Sequence, residues 1–249
     1  MKSTLLAVVL VAASAQGTWA QTRLTWDVDG ARREALVFAP TRAPGPAPLV
    51  LAFHGAGDTA ENFAGVALHT AWPEAVTVYV QGSQRQPAGG GTFQTTDAGA
   101  SNRDLRLVDA MLPDLRRRYS IDAGRVFATG FSNGAKLVYL LWATRSPAFT
   151  AFAPVAGMLT APVALGSPRP LLHIAGQQDR QNDYQEQLAS IALARTTNRA
   201  ETGRPCGRDC TAYAGNVGAE SVVTLLHPGG HIWPTDATSR IVAFFRNSR

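Results

Sequence analysis

Short apolar runs rich in β-branched residues recur along this chain with stretches of helical periodicity between them, and that alternation narrows the fold more than any other feature. The runs lie at residues 35–39, 49–53, 76–80, 126–129, 152–155, 171–175 and 222–226. Each is short enough for a strand and too uniformly apolar to leave one face in water, as strands covered on both sides must be. Between them, residues 61–71, 103–118, 135–144, 184–194 and 236–245 space apolar side chains three and four apart, the signature of amphipathic helices. The alternation predicts an α/β class with a mostly parallel central sheet and helices on both faces.

Lys2, the apolar run at 5–13 and the small-residue end Thr18-Trp19-Ala20 together read as a signal peptide at residues 1–20, leaving 21–249 as one catalytic-sized domain. No later stretch reaches the roughly 18 continuous apolar residues of a membrane-spanning helix, so no membrane span is expected. A secreted protein, extracellular or periplasmic, is the expectation. The net charge of +5 is carried mainly by arginines scattered along the chain, with Lys2 and Lys136 its only lysines. Nucleic-acid binding needs a basic stripe, and none is present. Cys206 and Cys210 stand four apart in a polar loop at 205–211. In an exported chain they are expected to pair, since two thiolates without a nearby histidine do not complete a zinc site. Neither a metal nor another cofactor is expected.

In parallel sheets the ligand crevice lies beyond the carboxyl ends of the strands, which directs attention to four segments. These are His54-Gly55-Ala56-Gly57, Gly130-Phe131-Ser132-Asn133-Gly134, Gly176-Gln177-Gln178-Asp179 and Pro228-Gly229-Gly230-His231. The second fits a G-x-S-x-G nucleophile elbow, with a strand pattern before it and a helix pattern after it, so Ser132 is the candidate nucleophile. A serine hydroxyl needs a base, and the base needs an orienting acid. Of the later histidines, His173 falls inside an expected strand and His227 ends one. His231 follows a Gly-rich turn that can swing its ring over the sheet edge. Asp179, four residues past a strand, is preferred as the acid, with Asp183 the rival and a helix cap its other role. The tetrahedral intermediate needs donors as well, and the backbone N–H groups of Asn133 and Ala56 are expected to supply them. The segment 81–102 lacks periodicity and reads as a surface loop bordering the site.

With these motifs in place, the chain resembles the polyhydroxybutyrate depolymerase and feruloyl esterase group of α/β hydrolases, related to carbohydrate esterase family 1. The likeness rests on Ser132-Asn133-Gly134, Gly176-Gln177-Gln178-Asp179 and above all Gly230-His231-Ile232-Trp233-Pro234. The resemblance implies an α/β-hydrolase fold, His231 as the base, and a helix beginning at Asp104 beside the site. Gln81, Arg180, Ile232 and Thr235 depart from the group's usual residues near the cleft.

The resulting expectation is a serine esterase that hydrolyses carboxylic esters through an acyl-enzyme. Its partners would be small or oligomeric esters, either hydroxyalkanoate oligomers or feruloyl and acetyl esters of saccharides. Trp233 and His54 are expected to contact substrate. No linker or binding domain is expected after the last helix pattern, an expectation that favours a soluble ester over a crystalline polymer. A non-catalytic exported binding module on a relic hydrolase fold and a serine peptidase are the alternatives.

Overall fold

Uniformly apolar runs must be covered on both faces, and the computed structural model shows how this chain covers them. It describes residues 19–42, 45–84 and 90–248, so residues 1–18 of the expected leader lie outside it. The chain runs through β1 (Trp19–Val28), β2 (Ala31–Pro40), β3 (Ala47–Phe53), α1 (Ala60–Phe63), α2 (Leu68–Ala71), β4 (Val76–Val80) and a short pair, β5 (Ser83–Gln84) and β6 (Gly91–Thr92). There follow α3 (Arg103–Arg118), β7 (Ile121–Phe131), α4 (Asn133–Arg145), β8 (Ala151–Val155), β9 (Leu171–Gly176), α5 (Tyr184–Asn198), β10 (Gly203–Gly207), β11 (Cys210–Gly215), β12 (Gly218–His227) and α6 (Ala237–Asn247).

Ten strands form one sheet in the order β1-β2-β4-β3-β7-β8-β9-β12-β11-β10. From β4 across to β12 every neighbouring pair is parallel, and antiparallel strands flank this block on both sides. Every residue of β3, β4, β8 and β9 is buried. Leu105, Met111, Trp142 and Ile191 of α3, α4 and α5 belong to one apolar layer, while Phe63, Leu68, Ile241 and Phe245 of α1, α2 and α6 belong to the other. The parallel register aligns the strand ends that matter: Phe53 pairs with Gly130, Phe131 with Val155, Val155 with Ile174, and Gly176 with His227. The loops that leave these positions therefore open along one edge.

Several segments differ from the sequence expectation. Residues 61–71 are not one helix: α1 passes through a 3-10 turn at Ala64–Val66 and restarts after Ala67, whose φ is 60°. Gly65 and Val66 are weak helix formers, and the left-handed Ala67 ends the run. The stretch expected to be amphipathic at 135–144 is buried almost throughout from Ala135 to Trp142, because α4 packs on β7, β8 and β3. The expected polar loop at 205–211 is a hairpin of β10 and β11, and Cys206 is joined to Cys210 with their Cα atoms 5.1 Å apart. The segment 81–102 is more than surface. Gln81, Phe93, Thr95 and Asn102 are buried, and Phe93 packs edge-on against Phe53 at 5.5 Å. Trp19 and Ala20, the end of the expected leader, pair with Pro40 and Ala39 as the start of β1. Among the described residues no helix is long and apolar enough to cross a membrane.

A buried ion pair ties this segment to the sheet. Arg33 of β2 donates to Asp104 Oδ1 at 2.6 Å and to the carbonyl of Gln81 at 3.2 Å, while Asp104 Oδ2 accepts from the Gln94 N–H at 2.7 Å. Asn102 caps α3 by accepting from the N–H groups of Asp104 and Leu105, and its own amide donates to the carbonyls of Gln94 and Asp97. Breaking a buried pair strands a charge, so Asp104→Asn should cost about 3 kcal/mol in urea unfolding, and the double change Arg33→Met with Asp104→Leu should recover most of that loss. Thiol titration of denatured, unreduced protein should find no free thiol, and replacing both cysteines by serine should lower stability by roughly 2 kcal/mol, the value for so short a loop.

Candidate active site

Ser132 sits between β7 and α4 with φ 54° and ψ −113°, a conformation rarely adopted by a residue with a side chain. The turn is tight because α4 begins directly over β3. A Cβ on Gly134 would overlap the carbonyl of Phe53, so only glycine lets the helix start there. The Ser132 N–H donates to Val155 O at 2.9 Å, anchoring the turn to β8. Its Oγ projects from the turn and lies 2.9 Å from His231 Nε2.

His231 is carried by the loop after β12, and Asp179 by the loop after β9. The two loops are laced together by Gln177 N–H donating to His227 O and Gln178 N–H donating to Gly229 O. They cross so closely at Gly176 that a Cβ there would overlap the carbonyls of Gly229 and Gly230. His231 Nδ1 lies 2.8 Å from Asp179 Oδ2, so Ser132, His231 and Asp179 stand in one hydrogen-bonded line. The Asp179 side chain is fully buried. Burial alone would raise its pKa, but hydrogen bonds from the His231 ring and from the N–H groups of Asn182 and Gln181 outweigh this and hold it below the usual carboxylate value. The rival carboxylate, Asp183, is engaged elsewhere, capping α5 by accepting from the N–H groups of Gln185 and Glu186. His227 accepts from the Gly229 N–H and shapes the turn before His231.

The segment after β3 approaches from the other side. The Gly57 N–H donates to Gly91 O and the Gly91 N–H to Asp58 O, which pins the segment against β6. Ala56 is an exposed residue, and among the described residues its N–H meets no acceptor. The Asn133 N–H opens α4, where a helix leaves its first donors without intrahelical partners. The Asn133 side chain works elsewhere, accepting from Phe93 N–H and Thr92 Oγ1 and donating to Phe93 O, so the residue beside Ser132 also tethers the strand that braces Ala56.

Two expected substrate contacts differ in outcome. His54 is buried with both ring nitrogens engaged: Nε2 accepts from the Gly82 N–H at 2.9 Å, and Nδ1 donates to Gly55 O at 2.7 Å. It braces the Ala56 segment and has no surface to offer a ligand. Burial pushes its pKa down, against the pull of its bond to Gly55. Trp233 is partly exposed and, with Phe131, Phe63, Asp58 and Asn62, lines an open cleft of about 460 Å³. Its Nε1 donates to Thr238 Oγ1. Phe131, whose ring centroid lies 4.8 Å from that of His231, is a cleft residue that sequence reasoning did not single out. Asn182 and Gln187, both against Asp179, were missed as well.

His173 lies beneath the site, fully buried, and burial pushes its pKa down to about 4 despite a hydrogen bond to Gln187. The folded and unfolded chains hold this ring equally neutral well above pH 6.5. As the pH falls from 6.5 toward about 4 the unfolded chain gains a proton that the buried ring refuses, which removes roughly 3 kcal/mol of stability. In a His173→Gln variant the drop in unfolding free energy between pH 7 and pH 5 should therefore be smaller by about 2 kcal/mol than in the parent. An equal drop in both proteins, measured by urea unfolding, would contradict a neutral buried ring.

No family model matches the chain. It is 29% identical over 168 residues to the bifunctional acetylxylan esterase/xylanase XynS20E of Neocallimastix patriciarum, a match covering 63% of this chain and 23% of that protein. It is 27% identical over 163 residues to poly(3-hydroxyalkanoate) depolymerase C of Paucimonas lemoignei, covering 63% and 39%. The chain thus spans less than half the length of these curated relatives. Among solved structures, an acetyl xylan esterase from Aspergillus awamori superposes with TM-score 0.72 at 14% identity, over 91% of this chain and 99% of that one. A carboxylesterase from Mesorhizobium loti gives 0.64 at 18% identity, over 86% and 95%. The fold is that of the α/β hydrolases, and in sequence the chain is similar to the esterase and depolymerase group of that fold.

Proposed function

We propose that this protein is an exported carboxylic ester hydrolase that works through an acyl-enzyme on Ser132. The observation that carries the reading is the line from Ser132 Oγ through His231 to Asp179, at 2.9 and 2.8 Å, built on a backbone turn strained at the serine. Ser132 Oγ attacks the ester carbonyl carbon as its proton passes to His231 Nε2, and Asp179 stabilises the imidazolium that forms. The N–H groups of Asn133 and Ala56 receive the oxyanion. Collapse of the intermediate breaks the bond to the alcohol, which leaves with the proton from Nε2. Water then repeats the attack on the acyl-serine, releasing the acid and restoring Ser132.

The substrates in this reading are acetyl or feruloyl esters of saccharides, or hydroxyalkanoate oligomers. The cleft supports an alcohol part of mixed polarity, since Trp233 and Phe131 offer aromatic faces while Asp58 and Asn62 supply hydrogen-bonding groups. The two matched relatives carry acetylxylan esterase and poly(3-hydroxyalkanoate) depolymerase in their names, which agrees with esters of these kinds. Export is supported by the disulfide.

Ser132→Ala and His231→Ala should each lower kcat on p-nitrophenyl acetate by roughly 10⁵-fold with melting unchanged, and Asp179→Asn by about 10⁴-fold. A fluorophosphonate should label the parent at Ser132 and leave Ser132→Ala unlabelled. If Asp183→Asn proved as damaging as Asp179→Asn in folded protein, the acid would be misassigned. Acetyl and butyryl esters should turn over faster than palmitoyl esters, and the reverse order would remove the short-acyl reading.

A further inference from the structure

Gln187 of α5 is fully buried, four residues past the N-cap Asp183, and it reaches back beneath the site. Its Nε2 lies 2.8 Å from Asn182 O and 3.1 Å from Asp179 Oδ2, and its Oε1 lies 3.3 Å from His173 Nε2. His173 Nδ1 is in turn 2.7 Å from the hydroxyl of Tyr139, itself buried in α4.

The proton positions follow by elimination. A carbonyl and an ionised carboxylate only accept, so the NH₂ end of Gln187 must face Asn182 O and Asp179, and both its protons are engaged. Its Oε1 can then only accept, so His173 carries its proton on Nε2 and accepts from the Tyr139 O–H at Nδ1. Every polar atom from Tyr139 to Asp179 then has a partner, with all donors pointing toward the carboxylate. The opposite amide orientation would set Oε1 against two acceptors.

We propose that Gln187 is a positioning residue for ester hydrolysis, its amide locked by His173 and Tyr139 so that it fixes Asp179 Oδ2 toward His231 Nδ1. This rests on reading Ser132, His231 and Asp179 as the catalytic line. The division of labour at the carboxylate supports it. Asp179 Oδ1 accepts from the N–H groups of Gln181 and Asn182, whereas Oδ2, the oxygen facing His231, is held by Gln187. Tethers on Oδ1 alone would leave the carboxylate free to rotate about its Cβ–Cγ bond, and the Gln187 amide stops that rotation.

Gln187→Met keeps the volume and removes both donors. On p-nitrophenyl acetate its kcat should fall about 10- to 100-fold while KM stays within about twofold, the pattern of a lost transition-state interaction. In the parent, a downfield proton NMR resonance from the His231 Nδ1–H bonded to Asp179 should be visible, and in the variant it should broaden or move upfield. A variant with lowered melting temperature but unchanged kcat and an unchanged resonance overturns the proposal and leaves a merely structural glutamine. Fluorophosphonate labelling of the parent separates the two levels: a parent that does not label at Ser132 overturns both readings, whereas a labelled parent beside a fully active variant overturns only this one. If Gln187→Met does not fold, nitrogen-15 NMR of the parent decides, because a neutral His173 protonated at Nε2 is required. A proton on Nδ1, or a charged ring at pH 7, overturns the arrangement.

Discussion

Asp179 holds a negative charge where water does not reach its side chain, and much of the local architecture follows from keeping that charge in place. An ionised carboxylate without partners would cost several kcal/mol in such a setting and would take up a proton instead. Its donors come from the acid loop itself, through Gln181 and Asn182, from α5 through Gln187, and from the loop after β12 through His231. Those segments can converge only because β9 and β12 are adjacent and parallel, with Gly176 opposite His227 at their ends. The close crossing that Gly176 permits is therefore a requirement of the electrostatics as much as of the chain path.

The opposite wall of the site is built on a different principle. The Ala56 segment contributes backbone N–H groups, whose direction depends wholly on what braces the turn. His54 fills that role from inside, bonded to Gly55 and Gly82, and β6 fills it from outside through Gly91. The Asn133 side chain joins β6 to the start of α4, so both backbone donors proposed for the oxyanion are referred to one short strand. The Arg33–Asp104 pair, through Gln81 and Gln94, fastens both ends of the same segment to β2 and α3. The described parts of a segment without periodicity are thus held by side-chain to backbone bonds as well as by the short β5–β6 pairing.

Much of this was legible in the sequence where local chemistry and the fold agree. The central strands announced themselves because burial on both faces leaves no room for polar residues, and α3 matched its expected span of 103–118 because its apolar stripe faces a single layer. The positions of Ser132, Asp179 and His231 were legible because loops at strand ends carry glycines that the crossings demand. What escaped was whatever depends on a neighbour distant in sequence. β1 lies at the sheet edge, mostly exposed, and its mixed pattern resembles a loop. β10 is exposed throughout and reads as a polar turn. His54 looked like a ligand contact because a histidine after a strand often is one, and only the Gly82 N–H, 28 residues away, shows its ring to be engaged inside.

The chain of buried polar groups behind Asp179 raises the question of why α5 carries Gln187 and β9 carries His173 where apolar residues would pack more cheaply. An apolar replacement of the whole set would spare desolvation of a ring and an amide, and by that measure it would favour stability. It would also leave Asn182 O without that donor and Asp179 Oδ2 with His231 alone, in the one place where a carboxylate must remain ionised and aimed. The polar set is closed: Tyr139 donates to His173, His173 to Gln187, and Gln187 to the carboxylate, so none of the contacts is optional once Asp179 is fixed. The burial that pushes the His173 pKa down to about 4 keeps the ring neutral, and a neutral ring with one proton can serve as both acceptor and donor in this order. A charged ring would keep its Nε2–H on Gln187 Oε1 but turn a second donor, Nδ1–H, toward the Tyr139 hydroxyl, which would then have to accept instead of donate. In the proposed arrangement the aim of Asp179 rests in part on a histidine that never meets the reacting atoms, because its Nε2–H holds the Gln187 amide whose direction Asn182 O and the carboxylate set.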